Sequence, residues 1–311
     1  MSNLEKHPAE IGLADDVSTS SVTVLEPRDV PLGGPRAMTV RRTLPQRQRS
    51  LIGAWCFIDH YGPDDVSMVV PPHPHTGLQT VSWLFAGEIE HRDSVGSLAP
   101  VRPGELNLMT AGYGISHSEV STGTTTVLHG AQLWVALPDS ARHDPPAFES
   151  YVPQPFAFGA ATVHVFIGEL AGAASPARMF TRMLGAQVDL PAGSSVTFEV
   201  DELFEHGVLV DAGDVTVEGT STAPAHLAYV PPGRGTLTLT AATDARLLLL
   251  GGEPLGEQIV MWWNFIGRTH EEIVEYRDAW QNSTGRFGTV DYDGAALPAP
   301  ELPNVRLSPR G

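Results

Sequence analysis

The sequence predicts an all-β fold of two tandem barrels closed by one C-terminal helix, and three observations carry that prediction. Short β-branched and aromatic runs are punctuated by turn residues, 31 Gly and 26 Pro among 311 residues, which is the spacing of a sandwich or barrel. That rhythm occurs twice, on either side of a stretch with neither strand nor helix period. Each half also carries the same turn. Leu84-Phe85-Ala86-Gly87-Glu88-Ile89-Glu90 resembles Val210-Asp211-Ala212-Gly213-Asp214-Val215-Thr216, and a Pro-Gly pair follows at Pro103-Gly104 and at Pro232-Gly233. An internal repeat of this kind marks duplication of one unit.

Taken in order, residues 1–20 are polar and unpatterned and are expected to form a loosely held arm. Residues 21–143 make the first barrel, beginning with the alternating run Ser21-Val22-Thr23-Val24-Leu25 and turning at Gly62-Pro63, Pro71-Pro72 and Ala111-Gly112-Tyr113-Gly114. Residues 144–159, opening on Asp144-Pro145-Pro146, read as the linker. Residues 160–290 make the second barrel, with Ala161–Ile167 and Arg246-Leu247-Leu248-Leu249-Leu250 as its clearest buried runs. Thr269-x-x-Glu272 is a capping box, and Ile273, Tyr276 and Trp280 follow on one face, so a helix is expected there with that face docked on a sheet. Residues 291–311 carry Pro298, Pro300, Pro303 and Pro309 and are expected to form an extended strap or a disordered tail.

Composition excludes several functions. Lys and Arg number 19 against 36 Asp and Glu, a net charge of −17, so the broad positive field needed by direct nucleic-acid or anionic-membrane binding is missing. No apolar run approaches the ~18 residues of a membrane span and no leader pattern opens the chain, which predicts a cytoplasmic protein. The single cysteine, Cys56, cannot close an internal disulfide or build a multi-cysteine zinc site and reads as a small core residue. Any metal must be held by imidazoles and carboxylates.

Two segments offer them. On a period of two, positions 73, 75, 77, 79, 81, 83 and 85 fall on one strand face reading His, His, Gly, Gln, Val, Trp, Phe, a polar mouth above an apolar interior. By the same rule Ile115, His117 and Glu119 share a face. Three imidazoles and a carboxylate suit a first-row transition ion and leave coordination positions open for a substrate and dioxygen.

The motifs His73-Pro74-His75-Thr76-Gly77, Gly87 through Ser94, and above all Thr110-Ala111-Gly112-Tyr113-Gly114-Ile115-Ser116-His117-Ser118-Glu119 resemble the pirin family of bicupins over residues 20–290. The resemblance implies a pair of double-stranded β-helix barrels with one divalent metal, most often Fe(II), held in the first by His73, His75, His117 and Glu119. It also implies a divided function. Several members cleave flavonols such as quercetin with dioxygen, whereas eukaryotic members are nuclear transcription cofactors whose binding follows the metal's redox state. Gln79 stands where many cupins place a liganding Glu and becomes a candidate for shaping the pocket.

Transferring the first barrel's offsets to the second puts Glu199, Asp201 and Arg246 at the ligand positions, so the second barrel is expected to be metal-free and to serve as scaffold. His206 and His226 are then structural or surface residues, His91 with Asp93 orients the barrel by hydrogen bonds, and Asp59-His60 caps a turn. The expectation is therefore a dioxygenase on a planar hydroxylated aromatic and O2, with Glu119 also accepting the substrate's hydroxyl proton. Its rival is a non-enzymatic iron-binding redox sensor that docks on a regulatory protein partner. A storage-protein-like bicupin without metal is the third reading.

Overall fold

The computed structural model describes residues 22–32, 38–123 and 125–311; the expected arm, 1–20, lies outside the described residues. Strands form where β-branched and aromatic residues alternate, and they pair antiparallel into two barrels of the same plan. The first barrel has a seven-stranded wall in the order Ala147–Tyr151, Leu106–Thr110, Leu78–Ala86, Leu128–Ala136, Trp55–Asp64, Met38–Leu44, Arg28–Leu32. Its four-stranded wall runs Val69–His75, Ile115–Ser121, Ile89–Asp93, Leu98–Val101. The second barrel repeats this, with a seven-stranded wall of Thr23–Leu25, Leu227–Val230, Glu205–Ala212, Ala245–Gly252, Met183–Leu190, Ala161–Ile167 and Phe156–Phe158, so the run expected to open the first barrel is an edge strand of the second. Its four-stranded wall is Ser194–Glu199, Thr236–Ala241, Val215–Val217 and Thr220–Thr222. The all-β bicupin with a terminal helix is thus the observed architecture.

The two seven-stranded walls meet back to back. Trp55, Ile58, Val81, Trp83 and Leu133 of the first pack with Phe166, Leu209, Leu248 and Leu250 of the second in one buried cluster. Trp83 stacks on Phe166 with centroids 4.5 Å apart and its indole N–H donates to Gln187 Oε1 at 2.8 Å. Buried aromatics of this size, each with its polar handle satisfied, dominate such an interface. The segment read as a linker runs as edge strands, Ala147–Tyr151 on the first wall and Phe156–Phe158 on the second.

The helix is His270–Gln281, with Thr269 as N-cap accepting from the Glu272 amide at 3.2 Å. Glu272 reaches back to the Arg268 amide, so the capping pattern read in the sequence is realised one residue early. Ile273 and Tyr276 are buried against Trp262 and Phe265 of a small hairpin, Val260–Trp262 with Phe265–Gly267, and against Phe287. The proline-rich end is a strap: Ala299 and Leu307 join that cluster and the Leu297 amide donates to Pro72 O at 2.8 Å. No helix among the described residues is long and apolar enough to cross a membrane.

Candidate metal centre

The strands Val69–His75 and Ile115–Ser121 are neighbours in the first barrel's four-stranded wall, and their register sets His117 opposite His73 and Ile115 opposite His75. Opposed residues of an antiparallel pair share a face, so His73, His75 and His117 project together. Each offers a nitrogen within 4.8 Å of the others, and all three are fully buried. His75 Nε2 and His117 Nε2 lie 3.1 Å apart, close to the ~3.0 Å between two nitrogens each ~2.1 Å from one ion and at right angles. His73 Nδ1 donates to Pro71 O at 2.9 Å, which leaves Nε2 as a lone pair; that atom is buried with no hydrogen-bond partner among the described residues. Burial pulls His73 down to about 4, and burial with the neighbouring imidazole charge holds His75 and His117 well below their usual range. All three are therefore neutral at pH 7, the form that binds a cation.

Glu119 follows a bulge in the same strand and stands opposite His91 of Ile89–Asp93; its carboxylate groups with His91 and His117, a second trio that shares only His117 with the first. His91 Nε2 lies 3.0 Å from Asp93 Oδ2 and His91 Nδ1 lies 3.3 Å from His117 Nδ1. A carboxylate only accepts, so His91 donates to Asp93 and is left to accept from His117 Nδ1–H. That fixes His117 Nε2 as the lone pair facing His75. The orienting hydrogen bond expected of His91 and Asp93 is present; its extension to His117 is invisible in sequence, because the two histidines are 26 residues apart and meet only through register.

These donors, borderline imidazoles and one carboxylate, fit a first-row transition ion. The pirin family model matches residues 37–135, and the model of the pirin C-terminal cupin domain matches residues 185–288. The chain belongs to the pirin family. A Pseudomonas aeruginosa protein provisionally named a quercetin 2,3-dioxygenase is 43% identical over 282 residues, 89% of each chain. A Caulobacter vibrioides pirin-like protein is 35% identical over 84% of this chain and 94% of its own. Among solved structures, quercetin 2,3-dioxygenase from Acinetobacter baumannii superposes with a TM-score of 0.87 at 37% identity, covering 92% of this chain and 97% of that one.

Within this pirin architecture the second barrel shows what the fold requires without the chemistry. Register places Val196 opposite Leu239, Phe198 opposite Leu237 and Val215 opposite Ala241, in the relation of His73 to His117, His75 to Ile115 and His91 to Glu119 in the first barrel. All six belong to the apolar core. The offset arithmetic that pointed to Glu199, Asp201 and Arg246 is corrected: Glu199 is exposed on the outer face, Asp201 follows its strand, and Arg246 lies in the other wall. The connecting loops are longer before one turn and shorter after the other in the second barrel, which shifts the count, whereas hydrogen-bond register is unaffected by loop length.

The reading of residues 73–85 as one face is also corrected. The strand ends at His75, and Thr76-Gly77 turns the chain into the opposite wall, where Leu78–Ala86 begins. Gly77 sits at φ +68°, and a Cβ there would lie 2.2 Å from Ile266 O, so only glycine fits the turn. Val81 and Trp83 consequently face the second barrel, and so does Gln79, whose amide donates to Thr110 Oγ1 and Arg178 O at 2.9 and 3.0 Å; it ties the halves together.

Asp59 and His60 cap no turn, because both lie within Trp55–Asp64. His60 Nε2 and His129 Nε2 each donate to Asp211 Oδ1 of the second barrel at 2.6 Å. Although the trio could group around a cation, these separations are shorter than a ligand edge and Arg246 stands 3.5 Å from Asp211 Oδ2. The trio is a clasp between barrels. His206 is buried and His226 is partly exposed, and Cys56 is a buried free thiol, as expected.

Proposed function

We propose that this chain is a metal-dependent dioxygenase of the quercetin 2,3-dioxygenase type, with one Fe(II) held in the first barrel by His73, His75, His117 and Glu119. The observation that carries the reading is the inward Nε2 of His73, buried without a partner beside two further neutral imidazoles. An orphaned lone pair in that setting costs stability unless something binds it. The names of the relatives support the substrate class, a flavonol, and the co-substrate, O2.

When bound, the ion supplies electron exchange with dioxygen and acidifies the enolic hydroxyl that it contacts. The chain's own residues do the rest. Glu119 accepts the enol proton. Asp93 and His91 hold His117 in its liganding tautomer. Phe57 and Trp134, stacked at 4.0 Å and 13°, give a flat apolar wall beside His75 against which a planar ring lies. In the flavonol cleavage proposed, both atoms of O2 would add to the two ring carbons that flank the enol carbon, the two C–C bonds to that carbon would break, and it would leave with its oxygen as carbon monoxide. The regulatory alternative uses the same ligands and draws on the −17 charge, which suits a basic protein partner. Metal analysis of untagged protein together with oxygen uptake on a flavonol panel separates the two: metal-dependent uptake with carbon monoxide release supports the enzyme, and a loaded protein that consumes no oxygen refutes it.

A further inference from the structure

The wall opposite the imidazoles carries a buried polar row. Register aligns Asn107 with Ser82, Ser82 with Gln132, Gln132 with Asp59, and Asp59 with Arg42 across five adjacent strands. None of the five residues exceeds 5% exposure. Arg42 grips Asp59 bidentately at 2.6 and 2.8 Å, and Ser82 Oγ donates to Gln132 Oε1 at 2.9 Å. Three atoms remain unsatisfied among the described residues: Asn107 Nδ2, Asn107 Oδ1 and Gln132 Nε2.

The second barrel shows that the fold does not need this row. Applying the same register to its wall gives Ala228, Val208, Leu249, Ala186 and Val165, every one in the apolar core. A duplicated fold that fills a row with aliphatics in one copy and with partly unsatisfied amides in the other carries the amides for something that binds them. The row faces the candidate metal centre. Trp134, two residues beyond Gln132 on the same face, meets the His75 ring edge-on at 5.3 Å. Tyr61, two beyond Asp59, is likewise fully buried, and its hydroxyl has no hydrogen-bond partner among the described residues.

Building on the dioxygenase reading, we propose that Asn107, Gln132 and Ser82 form a recognition row for the hydroxyl-bearing edge of a planar polyhydroxylated aromatic whose enol–ketone edge faces the imidazoles. An amide row of this kind discriminates strongly against a ligand lacking the hydroxyls, because its buried donors are then left unpaired.

The test exchanges the row for its own counterpart: Ser82→Val, Gln132→Leu and Asn107→Ala together, with Asn107→Ala alone as the smaller variant. The metal-loaded protein is titrated with quercetin and with 3-hydroxyflavone, which keeps the enol and ketone but lacks the ring hydroxyls, following tryptophan fluorescence, metal content and Tm. In the parent protein quercetin binds more tightly by about tenfold or more; in the triple variant the ratio of the two affinities falls to near one, with metal content and Tm maintained. A parent ratio near one overturns the proposal, as does an unchanged ratio in both variants, including a parallel loss of both ligands. Turnover is scored separately: if both flavonols bind with the expected ratio but neither is consumed, the dioxygenase reading fails and the recognition row stands.

Discussion

Removing the Asp211 carboxylate is expected to loosen the two barrels from each other by an amount that the geometry sets. Its side chain is fully buried and its Oδ1 accepts from His60 and His129 of the first barrel, both at 2.6 Å. Burial alone would push Asp211 up, yet the hydrogen bonds from His129 and His60 hold it far below the usual carboxylate range, so the ionised form is what the native state selects. Hydrogen bonds to a charged group contribute ~1.5–3 kcal/mol each, and deleting one partner of a buried pair costs ~3–5 kcal/mol. Asp211→Ala strands two buried imidazole donors and is therefore expected to cost about 3–5 kcal/mol, or roughly 6–10 °C in Tm at ~2 °C per kcal/mol for a chain of this size. Asp211→Asn keeps an acceptor for both donors and loses only the charge, so its cost is about half as large, near ~2 kcal/mol. Urea and thermal unfolding at pH 7.5 measure both. A loss below about 1 kcal/mol in the alanine variant, or equal losses in the two, would show that the clasp does not act through the charge. Metal content should be unchanged in either variant, because the trio is not a ligand set.

Three further outcomes are expected. Elemental analysis should find about one transition-metal equivalent per chain, most of it lost on His73→Ala, His75→Ala or His117→Ala and kept on His206→Ala or His226→Ala; two equivalents, or full retention by His117→Ala, contradict the single site. Glu119→Gln should keep part of the metal through the three imidazoles while turnover falls ~100-fold or more, and full rescue by excess Fe(II) would reduce Glu119 to a ligand without a base role. Burial pulls His206 down to about 4 from an ordinary 6.5, so the unfolded chain takes up its proton first and stability is lost as pH falls from 6.5 towards 4. His206→Leu should flatten that decline by about 2–3 kcal/mol between pH 7.5 and 4.5, and an unaltered slope in urea titrations at the two pH values would refute the assignment.

The candidate ligands could be picked out in the sequence because a long motif, Thr110 through Glu119, packs two of them and their turn into consecutive positions. The barrel pair was legible from turn spacing. What stayed hidden has one physical cause: contacts made by register between strands distant in sequence. His91 reaches His117, Asp211 reaches His60 across the barrels, and Asn107 aligns with Gln132 through Ser82, none of them within reach of a local pattern. The period-two reading of 73–85 failed for a local reason, since alternation cannot show that Thr76-Gly77 carries the chain from one wall to the other. Gln79 was misplaced by the same turn.

The strand Thr23–Leu25 has a consequence in time. It precedes the whole first barrel yet pairs with Leu227–Val230 of the second, a partner about 200 residues later in the chain. At ~5–20 residues per second of synthesis, the beginning of the protein waits on the order of 10–40 s for its neighbour to leave the ribosome. The apolar back of the first wall, with Val81, Trp83 and Leu133, waits beside it without Leu209, Leu248 and Leu250 to cover it. A chain halted near residue 200 would hold Phe166 and Met183 but none of Leu209, Leu248 and Leu250, so much of that face would stay exposed to solvent, which makes this interval the point at which a chaperone is most needed and a truncated product most prone to aggregate.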